Sequence, residues 1–170
     1  MRDVIIILAG FLLISFQSVV HQWIPLGYFT PDFLLPFVIY LGIIDYGAAR
    51  GAALAFVMGY MLDTCAAAPV GVHLFVMPAI YLLYRFINKE ILLSGWLFQS
   101  VMTLAASLSA DLMIVGMRAL FERAIPSWKA VALTLVFHPL ATALCAPLVF
   151  WLGARLVPES PKRKEEKVVV

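Results

Sequence analysis

Four ionisable residues stand within or beside long apolar runs, where a charge is costly: Asp63, His73, Asp111 and His138. An ionisable group at bilayer depth is kept for a partner or a pathway, so chemistry is sought here first. Asp63 closes one apolar run and His73 opens the next across a short turn, which lets a carboxylate and an imidazole meet. The plain alternative is a partly hydrated cap and hairpin fastener at the membrane interface. Thr103, Ser107 and Asp111 recur at i, i+4 spacing in the middle of another run, and such a polar stripe must face protein or water rather than lipid. His138, with Pro139 and Thr142, gives the last run a comparable polar face and is the expected partner of that stripe. The residues leave open whether the two stripes glue helices together or line a cavity.

Catalysis finds little footing. The sequence contains no HExxH, CxxC or GxxxxGK[ST] pattern, and no Ser, His and Asp set shares one interfacial depth with an obvious nucleophile. Two histidines and two acids spread over four segments make a weak metal set, and Cys65 and Cys145 are expected to be inert thiols. The expectation is a protein without cofactor or metal and without enzymatic activity. Nucleic-acid binding is equally disfavoured, because the net charge is only +2 and no broad basic patch exists outside the C-terminal tail.

The elements that must position these groups follow from composition. Hydrophobic residues make up 64% of the 170 positions and charged residues only 13%, with a mean hydropathy of +0.99. No water-soluble fold hides that much apolar surface, so the bilayer is the solvent. A hydrocarbon core of about 30 Å needs about 20 apolar residues per helical crossing. Stretches such as 4–14 and 33–44 are apolar on every face, which excludes the alternation of a membrane β-barrel and predicts helices.

Six helices are predicted, over about 4–23, 32–46, 49–64, 72–87, 93–121 and 130–156. The first run is too long for a signal-peptide core and no small-x-small site follows it, so it is expected to be a retained helix ending near Trp23. The second is short for a crossing, with Pro31 before it, Asp32 in its first turn and Pro36 close behind. The third carries Gly51, Ala55 and Gly59 on one face, a surface suited to close helix packing or partner binding, and Asp63 follows on the same stripe. With both termini inside, nine Lys and Arg fall on one side and three on the other, which places the termini in the cytoplasm. Residues 1–157 then form one transmembrane domain, and 158–170 a disordered basic tail able to touch anionic lipid.

The stretch from Thr30 to Phe75 carries a more particular pattern: Pro31 and Asp32 opening a helix, Arg50 and Gly51 after a short loop, Gly59 and a closing Leu-Asp at Asp63, then Pro69, Gly71 and His73 in a Pro-x-Gly-x-His turn. This pattern resembles the MreD family of bacterial rod shape-determining membrane proteins, most closely over about residues 30–85. The resemblance implies an all-α, six-helix inner-membrane bundle, similar in fold to the substrate-binding S-components of vitamin transporters. It also implies a non-catalytic scaffold of the elongation machinery that docks MreC and, through it, works with MreB, RodA and a class B penicillin-binding protein in peptidoglycan synthesis. The competing expectation is a substrate-binding subunit of a small-molecule transporter, with Thr103, Ser107, Asp111 and His138 lining a sizeable ligand cavity.

Overall fold

The computed structural model describes residues 2–23, 29–44, 46–65, 71–90, 96–121 and 127–157. The expected tail at 158–170 and Pro69 of the family-like pattern lie outside them. Among the described residues all of the regular structure is helical: α1 (Arg2–Trp23), α2 (Leu34–Ile43), α3 (Ala48–Cys65), α4 (Val72–Glu90), α5 (Trp96–Phe121) and α6 (Trp128–Leu156). Arg2–Val20, Leu97–Met117 and Trp128–Leu156 are each long and apolar enough to cross a bilayer.

The second helix departs most from expectation. It has 10 residues rather than the fifteen of 32–46, so at about 1.5 Å per residue it covers only about half of a hydrocarbon core. Nine of its residues are buried, and it touches α1, α3, α4, α5 and α6. A helix apolar all round belongs in a core, and α2 is the post around which the others stand. Pro36 is tolerated because it falls in the first turn, where an N–H has no helical partner in any case.

The α3 and α4 helices form a close pair. Gly59 lies so near the α4 backbone that a Cβ there would stand 2.4 Å from the carbonyl oxygen of His73, and a Cβ at Gly51 would stand 2.0 Å from the Tyr81 ring. Ala55, between them, is fully buried. The small-residue face anticipated for packing or a partner is therefore filled by α4 of the same chain, and it is not an open docking surface. Close approach also lets the Tyr81 hydroxyl donate to the Gly47 carbonyl at 2.9 Å. Gly51→Ala should displace that ring and break this bond, lowering the unfolding free energy in detergent by about 1–3 kcal/mol. Wild-type stability of the variant would contradict the packing.

Outward-facing positions are apolar on every side, among them Leu12 on α1, Phe75 on α4, Val101 on α5 and Leu144 on α6. Such a surface suits lipid rather than water. At the C-terminal end of α2, the Arg2 guanidinium lies over the Tyr46 ring, 5.5 Å from its centroid. The Tyr46 hydroxyl donates to Asp3 at 2.5 Å. Burial first, then the Asp3 hydrogen bond and charge, push the Tyr46 phenol above its ordinary range, which keeps it a donor. The Tyr40 hydroxyl donates to the Val157 carbonyl at 2.8 Å. The start of α1 and the end of α6 thus share one end of the bundle. Cys65 and Cys145 are both free thiols.

Candidate functional site

The site is built outward from the place where α2 begins inside the bundle. A helix start in a water-poor interior has N–H groups that must be met by side chains. Here each is met. The Asp32 N–H donates to Thr142 Oγ1 at 3.1 Å, the Phe33 N–H to Gln17 Oε1 at 3.2 Å, and the N–H groups of Leu34 and Leu35 to Asp32 Oδ1 at 2.9 and 3.3 Å. Asp32 also places its charge at the positive end of the helix dipole. Thr142, fully buried, donates its own hydroxyl hydrogen bond to the His138 carbonyl at 2.9 Å, so its hydroxyl is used in both directions. Thr142→Val should leave the Asp32 N–H without an acceptor and cost about 1–3 kcal/mol. Thr142→Ser should restore it, and equal losses from both substitutions, measured by unfolding in micelles, would refute this role.

Asp63 and His73 are brought together at the α3–α4 turn. The Asp63 carboxylate is buried, not partly hydrated as the interfacial reading expects. Its Oδ1 accepts from the His73 N–H at 3.1 Å and faces His73 Nδ1 at 2.7 Å, while Oδ2 accepts from the N–H groups of Gly71 and Leu74 at 2.9 and 3.1 Å. One carboxylate thus caps the start of α4 and fastens it to the end of α3. Gly71, at φ +114°, makes the turn that presents its N–H.

Asp111 and His138 form a second pair, between α5 and α6, with His138 Nδ1 3.0 Å from Asp111 Oδ2. A carboxylate only accepts, so in both pairs the imidazole Nδ1 carries a proton and Nε2 is the ring nitrogen left to other groups. Thr103 and Ser107 complete the α5 stripe, both buried, and neither hydroxyl has a hydrogen-bond partner among the described residues.

The two pairs do not stand apart. A cavity of about 110 Å³ lies at the N-terminal end of α2, lined by side chains from all six helices, among them Gln17, Asp32, His73, Ser107, Asp111 and His138. Thr103 and Asp63 are not in its wall. Sequence reasoning missed Gln17 and Asp32 as members of this site. The available signals were an amide well inside the apolar run of α1 and an acid beside a proline in a segment too short to cross. The volume is below the roughly 300–1,000 Å³ usual for small-molecule sites. Among the described residues, no three His, Cys, Asp or Glu side chains gather closely enough to hold a metal ion. The arrangement can hold hydrogen-bond donors.

An apolar-faced helical bundle whose polar groups are turned inward and largely tied to one another is an integral membrane protein. The chain belongs to the MreD family, matching the description "rod shape-determining protein MreD" over residues 2–155. That family is a structural, shape-determining one. No curated protein and no solved structure matches the chain.

Proposed function

We propose that this chain is a non-catalytic scaffold of the bacterial cell-elongation machinery, held in the inner membrane with both termini in the cytoplasm. It docks MreC and through it supports MreB filaments, RodA and a class B penicillin-binding protein during peptidoglycan synthesis. The observation that carries this reading is the family match over residues 2–155. The bundle is compatible with it, because Asp63, His73, Asp111 and His138 engage one another across helix pairs. A vitamin-sized ligand has little room in about 110 Å³, which disfavours the transporter-subunit reading. With the Gly51–Gly59 face taken by α4, the membrane helix of MreC must use an outward apolar face, joined by close packing rather than by hydrophobic force. Affinity-tagged chain extracted from membranes should bring MreC with it, and a reporter fused after Val170 should read out in the cytoplasm. A stably inserted chain that never recovers MreC, or a periplasmic reporter signal, would overturn the proposal.

A further inference from the structure

We propose that the cavity at the N-terminal end of α2 is a binding site for a small organic cation, an ammonium or guanidinium group, held by Asp32, Asp111 and Ser107. Three features of the wall converge on that chemistry. Asp32 and Asp111 both line it, and no Lys or Arg is among the described residues that do. Buried carboxylates call for a balancing positive charge or further hydrogen-bond donors. His73 spends its Nδ1 on Asp63, outside the wall, and His138 meets Asp111 through a single contact of Nδ1 with Oδ2, while Asp32 bonds no cationic side chain among the described residues. In the neutral ring, Nε2 is then an acceptor.

The independent sign of a ligand is Ser107. Its hydroxyl is 1% exposed, belongs to the cavity wall and has no hydrogen-bond partner among the described residues. Buried hydroxyls are rarely left in that condition. An anion is disfavoured, since the N–H groups at the start of α2 are already met by Asp32, Gln17 and Thr142. A metal ion is disfavoured by the lack of three converging ligands among the described residues. A group that donates several hydrogen bonds, carries positive charge and fits about 110 Å³ meets all of these conditions. Such a group reaches the cavity either on a free small molecule or on a Lys or Arg side chain of a bound protein.

The test uses the full chain in lipid nanodiscs with nitrogen-15-labelled histidine, titrated with methylammonium chloride and methylguanidinium chloride, with sodium acetate as the control. The Nε2 signals of His73 and His138 should shift saturably with at least one organic cation and not with acetate. Asp111→Asn should weaken that response about tenfold or more, by loss of a charge-assisted hydrogen bond. Ser107→Ala removes a hydroxyl with no protein partner, so it should weaken the response several-fold while leaving the bundle intact. Repeating the titration on the complex with MreC separates the sources. Signals already at the saturated position point to a cation supplied by the partner, whereas signals that still titrate point to a free small molecule. No saturable shift in the isolated chain, an equal shift with acetate, or unchanged affinity in Ser107→Ala would overturn the site, whether or not MreC is recovered.

Discussion

Replacing Asp63 with alanine is expected to cost the folded protein about 3–5 kcal/mol, because it strands several buried donors at about 1–3 kcal/mol each. The carboxylate accepts from the N–H groups of Gly71, His73 and Leu74 and holds the His73 ring, so a single truncation strands all four donors. Asp63→Asn should fall between the wild type and alanine. Each carboxylate oxygen serves two donors, and the amide must turn an NH₂ toward one of those pairs. Equilibrium unfolding in mixed micelles with increasing sodium dodecyl sulfate measures both variants. An alanine variant within about 1 kcal/mol of wild type would mean that this network does not hold α3 to α4.

The second large effect is expected at Gly59. A Cβ at 2.4 Å from the His73 carbonyl oxygen and 2.8 Å from its carbon meets backbone rather than a side chain that can swing away. Gly59→Ala must push α4 outward, and the His73 and Leu74 N–H groups that bond Asp63 move with it. Overpacking of this kind costs about 1–3 kcal/mol, and strain on the Asp63 network should place the variant at the upper end. Gly116→Ala is the matched control, because a Cβ there meets nothing within 4 Å, and it should change stability by less than about 0.5 kcal/mol. Similar melting of the two variants would show that glycine is not needed at 59 for close approach.

Hydropathy made the number and order of the helices legible, because in lipid the backbone has few other choices. The ends of α1, α3 and α6 fall within about two residues of expectation, the ordinary scatter of helix boundaries. The meeting of Asp63 with His73 was legible because only ten positions separate them, and that of Asp111 with His138 because both sat on polar stripes. Two features were not. The true length of α2 was hidden because residues 32–46 are apolar almost throughout, and Asp32 precedes the helix instead of belonging to it. The Asp32–Thr142 bond spans 110 positions, and no local period reports a contact of that range. The occupation of the Gly51, Ala55 and Gly59 face by α4 was likewise out of reach, since small residues announce close approach without naming the neighbour.

The half-length of α2 has a consequence for biogenesis. A segment of 10 helical residues is too short to enter the bilayer alone as a spanning unit during synthesis. The acceptor for the Asp32 N–H arrives only when Thr142 has been made. Until the last helix comes alongside, the start of α2 is therefore expected to be incompletely capped. Nascent chains halted before residue 142 should expose this stretch to proteases and insertion chaperones, and chains extended through α6 should lose that exposure.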